Sequence, residues 1–199
     1  MSDQTILAID TDAELQKIIQ RLNTLPDQIA SPAILKNAIN STARKVRAQL
    51  KKDTKARYAI SDGKMLTDKS QGAPEVLTAS VTTLAATVRS RGPMQDIMAF
   101  MTQPNTRSAA AAAKVLNSGS MKLLEVNGLK AFVTTFASGH TAIVQRKGAS
   151  RLPVKKLLSP AVPHMMGNDE VREKAEGLAY ETLQSEIEKR IEKVLASKA

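Results

Sequence analysis

The stretch from Ser31 to Arg57 restricts the fold more than any other: it reads as one helix with a face that must be buried and a face that cannot be. Ser31 is a good N-cap, and Pro32 suits the first helical position, where its missing N–H leaves no bond unmade. Ile34, Leu35, Ala38, Ile39, Thr42, Val46 and Leu50 recur at three- and four-residue intervals and form one apolar stripe. The opposite face holds Lys36, Arg44, Lys45, Arg47, Lys51, Lys52, Lys55 and Arg57, opposed only by Asp53. A helix of this kind needs a second apolar surface to pack against, and the rest of the chain must supply it.

The best match to it lies at the other end. From Asn168 or Asp169, either of which can cap a helix, Val171, Ala175, Leu178, Ala179, Leu183, Ile187, Ile191, Val194 and Leu195 recur with helical spacing. Glu170 and Glu173 sit at its positive end, and Gly177 is its weak point. A shorter helix is expected over residues 11–25, capped by Asp12 and ended by Pro26. Between these helices the pattern changes. Residues 61–75 carry turn signals and read as a mobile loop. Residues 76–81 and 85–91 read as strands, and 97–100 as a helical turn or a strand. Leu129 to Phe136 and Thr141 to Arg146 read as a strand pair joined through Ala137-Ser138-Gly139-His140. Residues 151–154 read as extended, and 159–163 as irregular. The alanine-rich run 108–113 stays open between helix and strand, and 104–120 could be a loop or a partly ordered arm.

Strands segregated from helices argue for an α+β fold. We expect a small antiparallel or mixed sheet flanked by N-terminal helices and a long C-terminal helix. With neither an internal repeat nor a long low-complexity linker, residues 1–199 are read as one domain. Its parts are a helical N-terminal part (1–57), a β-rich core (76–163) and the long helix (168–198).

Composition limits what such a domain can do. Aromatics are 3% of the residues, which argues against a base-stacking platform and leaves the core to Leu, Ile, Val, Ala and Met. Cysteine is absent, so no thiolate chemistry or Cys-ligated metal is available. The two histidines, His140 and His164, have no carboxylate or second histidine at a ligand spacing and read as structural or solvated. Asp169, Glu170 and Glu173 could be drawn as acid–base groups, but an ordinary helix start accounts for them. There is no Gly-rich phosphate loop and no Gly-x-Ser-x-Gly elbow. Neither catalytic nor cofactor-binding residues are expected. No apolar run is long enough to span a bilayer, and Met1 to Asp12 lacks the pattern of a signal peptide.

The net charge of +10 favours an anionic partner. The residues nominated to face it are Arg44, Lys45, Arg47, Lys51 and Lys52 on the helix, and Arg146, Lys147 and Arg151 in a second cluster that runs on to Lys155 and Lys156 without an acid. That partner could be DNA phosphate or an acidic protein surface. For a subunit contact, the distal C-terminal helix offers Leu183, Ile187, Ile191 and Val194.

The chain also resembles the minor tail protein Z family of long-tailed phages, a tail-completion family. The similar stretches are Ala38-Ile39-Asn40-Ser41-Thr42-Ala43-Arg44-Lys45, Arg91-Gly92-Pro93 leading to Ala99-Phe100, and Ala131-Phe132 through Ser138-Gly139-His140. Arg146-Lys147-Gly148 leading into Arg151-Leu152-Pro153-Val154, and Leu158-Ser159-Pro160-Ala161-Val162-Pro163, complete it. Order and spacing over residues 30–195 carry the likeness, and the run Ala109 to Ala113 and the loop Ser61 to Gly72 depart from it. The resemblance implies a non-catalytic virion protein, made in the host cytoplasm, that forms a hexameric ring at the head-proximal neck of the tail. It implies tail-tube, terminator and head-connector partners, the DNA end in the channel, and neither cofactor nor membrane. The alternative left by the residues alone is a nucleic-acid-binding protein without sequence preference, using the basic helix 36–57.

Overall fold

A computed structural model describes residues 2–9, 32–103 and 110–196. The expected helix at 11–25 and the Ser31 cap lie outside the described residues. The fold is α+β, and the described residues form three α-helices and several small antiparallel sheets. Internal packing divides it into two compact units, each drawn from three separated segments: 3–51, 74–90 and 166–199 in one, and 1–2, 52–73 and 91–165 in the other. Neither unit coincides with the contiguous parts read from the sequence.

The first unit is dominated by helices. Helix α1 (Pro32–Arg57) lies in this unit as far as Lys51. Its expected stripe is the buried one: Ile34, Leu35, Ala38, Ile39, Thr42, Val46 and Leu50 are all buried, as is Ala43. The last long helix, α3 (Asp169–Ala196), buries Val171, Ala175, Ala179, Thr182, Leu183, Glu186 and Ile187. Asn168 accepts the first backbone bonds of α3 through its carbonyl, from Val171 N and Arg172 N. A small sheet in the order β1-β3-β2 completes the unit, from β1 (Ser2–Ile9), β2 (Glu75–Leu77) and β3 (Ala86–Gly92, in this unit to Ser90). β1 is a correction, because residues 1–57 were read as helical; it carries Thr5, Ile6 and Ile9, β-branched residues that favour strands. β2 and β3 pair antiparallel with Val76 opposite Val88. After Leu77 the chain leaves the sheet, and Asn40 holds it: its side chain donates to Ala79 O at 3.1 Å and accepts from Ala79 N at 2.7 Å.

The second unit is built of short strands. These are β4 (Gln95–Asp96), β5 (Met101–Gln103), β6 (Ala112–Lys114), β7 (Lys122–Leu123), β8 (Glu125–Val126), β9 (Leu129–Lys130), β10 (Phe132–Thr135), β11 (Thr141–Arg146), β12 (Val154–Lys156) and β13 (Leu158–Ser159). They pair in the orders β10-β11-β12, β5-β6-β7, β13-β4 and β8-β9. The hairpin β10–β11 matches the sequence expectation: Phe132 faces Val144, Thr135 faces Thr141, and Gly139 takes the positive φ of +81° that its turn requires. In the alanine-rich run, strand wins from Ala112 to Lys114. Ala111 and Ala113 are buried with Ile97, Ala131, Val133 and Ile143 in one core cluster. Ala111 N donates to Ala131 O at 2.8 Å, and Leu124 N to Ala111 O at 2.9 Å, so backbone bonds on both sides hold this run extended. Tertiary packing overrides the helix propensity of alanine. Residues 104–109 lie outside the described residues.

Two further expectations are corrected in this unit. Residues 61–73 are a pinned segment rather than a mobile loop. A 3₁₀ turn (Gly63–Leu66) is capped by Asp62, Met65 is fully buried, and Asp68 accepts from Ser70 N at 2.8 Å. Polar turn residues masked the anchor because their side chains bond locally to the backbone. Residues 159–163 are not irregular throughout, because helix α2 (Val162–Met166) starts there with Pro163 in its first turn, where proline is tolerated. Two glycines of this unit have a packing reason. A Cβ on Gly92 would stand 2.6 Å from Gln71 O and 2.7 Å from Gly72 Cα, and one on Gly72, whose φ is +119°, would stand 2.8 Å from Val162 Cβ.

Candidate partner-facing surfaces

Helix periodicity sorts the nominated bases of α1. Arg44, Arg47 and Lys51 repeat at three- and four-residue intervals and so share one stripe, facing away from the buried one. Arg44 is exposed, and Arg47 and Lys51 are half-buried. Partial burial and the adjacent Arg47 guanidinium hold the Lys51 ammonium below the ordinary lysine range. Like charges one turn apart destabilise an isolated helix by a few tenths of a kcal/mol, roughly 0.2–0.5. An anion laid along this stripe would relieve that repulsion. Lys52 is exposed and belongs to the strand unit.

Lys45 is a correction. Its ammonium sits 2.7 Å from Glu186 Oε1, so it is committed within the chain. Glu186 is also bonded by Arg190, whose other guanidinium nitrogen reaches Ser41 Oγ at 2.8 Å and Asn37 O at 3.1 Å. The hydrogen bonds from Lys45 and Arg190 push the Glu186 carboxyl down to about 2, against an ordinary 4.5. These bonds show how α1 and α3 pass one another. Moving from Glu186 to Arg190 along α3 moves the contact back from Lys45 to Ser41 along α1, so the helices run antiparallel.

The second basic cluster lies on β11, β12 and the loop joining them. Arg146, Lys147 and Arg151 are exposed, and the Arg146 guanidinium stands 5.8 Å from the centre of the Phe132 ring. Arg146 and Phe132 border an open depression of about 440 Å³, together with Lys130, Leu129, Gly128, Ala131 and Ala110. That lining offers cations and a ring face, but no carboxylate or imidazole. A second open depression, of about 380 Å³, is walled by Met98, Phe100, Met101 and Met121 and has no ionisable side chain in its lining. Lys156 is drawn off the cluster: its ammonium is 2.8 Å from Asp96 Oδ2 and 3.1 Å from His140 Nε2. His140 is exposed and stacks on Phe136, and His164 is exposed on α2.

The carboxylates at the start of α3 are engaged locally, Asp169 with Arg172 at 3.3 Å and Glu170 with Lys174 at 3.3 Å. Among the described residues no group of three or more His, Asp or Glu is placed to hold a metal ion, and no helix is long and apolar enough to cross a membrane. The apolar subunit contact needs correction at two of its four positions. Leu183 and Ile187 are buried in the chain's own fold, at 6% and 2% exposure, while Ile191 and Val194 are half-buried. A full apolar stripe cannot serve a neighbour when its wider part closes the core.

Sequence reasoning missed the polar side chains that tie distant backbone together. Asn117 donates to the carbonyls of Lys55, Ala56 and Tyr58 and so caps the C-terminal end of α1. Gln95 donates to Gln71 O and Pro93 O, and buried Gln145 donates to Leu129 O at 2.6 Å. Nothing in residue spacing marks these three amides as different from surface ones.

No protein-family model, no curated protein and no solved structure matches the chain.

Proposed function

We propose that the chain is a non-catalytic virion subunit that completes the head-proximal end of a phage tail, works in a ring and supports head–tail joining. What supports this reading is the resemblance that a set of stretches, in order and spacing over residues 30–195, bears to the tail protein Z family. Several of those stretches fall on positions that set backbone geometry: Gly92 at its crossing with Gln71, Gly139 in the β10–β11 turn, and Pro163 in the first turn of α2. The chain's partners would be further copies of itself, the tail tube and terminator, the head connector and the DNA end in the channel.

Antibody labelling of particles made by the phage or prophage that carries the gene tests this. Label is expected at the junction of head and tail. A chain that stays free in the lysate, with no label on the particles, would overturn it.

One observation favours a second reading, that of a nucleic-acid-binding protein without sequence preference. Arg47 and Lys51 are held close as like charges, and phosphate would relieve the repulsion. On that reading, duplex DNA binds the free chain tightly, affinity falls steeply with salt, and replacing Arg44, Arg47 and Lys51 by Ala abolishes binding. The ring reading expects weak binding at most.

A further inference from the structure

The basic stripe of α1 has a counterpart on α3. From residue 37 to 52 the chain has no acid, and from 175 to 188 it has no base. On α3, Glu181, Gln184 and Glu188 are all exposed and share one stripe, with Gln184 bonded to Glu188 at 3.2 Å. Glu181 and Glu188 are seven residues apart, as are Arg44 and Lys51. Both intervals are therefore about 10.5 Å along their helices.

The two stripes cannot neutralise one another inside one chain. Lys45 and Glu186 mark the sides on which α1 and α3 touch. At 3.6 residues per turn, Arg44, Arg47 and Lys51 lie roughly 100–160° around α1 from Lys45, and Glu181 and Glu188 lie roughly 140–160° around α3 from Glu186. Both stripes thus point away from the α1–α3 seam. Among the described residues, no ion pair reaches Arg44, Arg47, Lys51, Glu181 or Glu188.

From this we infer that the helical unit is a two-sided connector: the Arg44–Lys51 stripe of one copy docks on the Glu181–Glu188 stripe of the next. The occupant of each face is a second copy of this chain, selected by charge of opposite sign at matched spacing. Parallel or antiparallel apposition brings both pairs together, because the intervals are equal. The contact joins two different surfaces, so every added copy leaves one basic and one acidic face free, and only a closed ring satisfies both. The inference rests on the ring reading above and supplies its contact: charged stripes, in place of the buried Leu183 and Ile187.

Charge reversal on the full chain tests it. The variants are Arg44→Glu with Lys51→Glu, and Glu181→Lys with Glu188→Lys, with circular dichroism as the check on folding. Sedimentation velocity at low salt is expected to show an oligomer for the unaltered chain that dissociates as salt rises. Each variant alone should associate roughly tenfold more weakly or worse, because like charges now face each other. Mixing the two variants should restore assembly, since one is acidic on both faces and the other basic on both. Folded variants that assemble like the parent overturn the inference and leave the ring reading standing. A parent that stays monomeric at low salt overturns it as well, and antibody label at the neck would still uphold the ring reading. Normal assembly with loss of duplex-DNA binding in the Arg44→Glu, Lys51→Glu variant would assign the stripe to nucleic acid and overturn it too.

Discussion

The helical unit and the strand unit are stabilised by different means. In the first, two long elements carry wide apolar stripes, and most of the core comes from side chains at regular helical intervals, from Ile34 to Leu50 and from Val171 to Ile187. In the second, strands of two to six residues cannot each bury much, and small side chains and amide bonds to backbone do the joining: Ala111 against Ala131, Gln95 on Gln71, Asn117 on the end of α1. A periodic core announces itself in sequence and tolerates local variation in its loops. A stitched core depends on single residues that look ordinary.

The largest expected effect is in the periodic core. Ile39 is fully buried on α1, and Ile39→Ala should cost about 4 kcal/mol in urea unfolding, from lost burial plus the cavity left behind. Hydrogen exchange should rise first in 32–51 and 169–196. A loss below 1 kcal/mol would mean that the α1 stripe does not form the core of its unit. Next comes the stitched core. Gly92→Ala puts a methyl against backbone at Gln71 and Gly72, which cannot turn aside as a side chain would, and should cost roughly 3 kcal/mol. If it proves neutral, the close crossing is not what holds 71–72 to 92–95, and the contrast between the units weakens.

The pH dependence should come from the helical unit. The folded Glu186 carboxyl lies at about 2 against an ordinary 4.5, so its folded form holds a proton less readily than its unfolded form. Its contribution to stability is full above 4.5 and is lost as pH falls from there toward about 2. Glu186→Gln should remove that part of the acid sensitivity and leave the remaining slope to other carboxylates. An unchanged pH profile for the variant would show that Lys45 and Arg190 do not favour the ionised form.

Sequence legibility follows the same division. The α1 stripe, the α3 stripe as far as Ile187, the β10–β11 hairpin and the α+β class could be read because period, turn chemistry and burial agreed there, whereas Leu195 at the far end of the α3 stripe is exposed. The hairpin β8–β9 also had a readable signal, Asn127-Gly128, both at positive φ, but its strands are too short to show alternation. The buried Met65 turn and the strand Ala112–Lys114 were not legible. In each, a long-range contact overrode a local preference, and local preference is all a residue window reports. Among the site residues, Arg44, Arg47 and Lys51 could be nominated from charge alone. The engagement of Lys45 with Glu186, 141 residues away, needed the fold. The opposing acidic stripe was present in the sequence but diluted by bases elsewhere on the same helix, and it separates only when the buried face fixes which way α3 points.

The smallest effect is also the sharpest check on the helical unit, because it should have the opposite sign. Gly177 lies inside α3, is exposed, and a Cβ built on it would meet nothing within 4 Å. It makes no turn and takes no positive φ, so the glycine costs backbone entropy without a local return. Gly177→Ala should raise stability by roughly 0.5–1 kcal/mol, partly by restricting the unfolded chain. A rise in the thermal midpoint of about 1–4 °C, the shift such a gain gives in a chain near this size, would register it. Ala at 177 leaves the charges of both stripes unchanged, so it should not alter assembly at low salt. If it stabilised the monomer but weakened association, close approach of a neighbouring copy at Gly177 would explain both results, and the contact between copies would extend one turn N-terminal of Glu181.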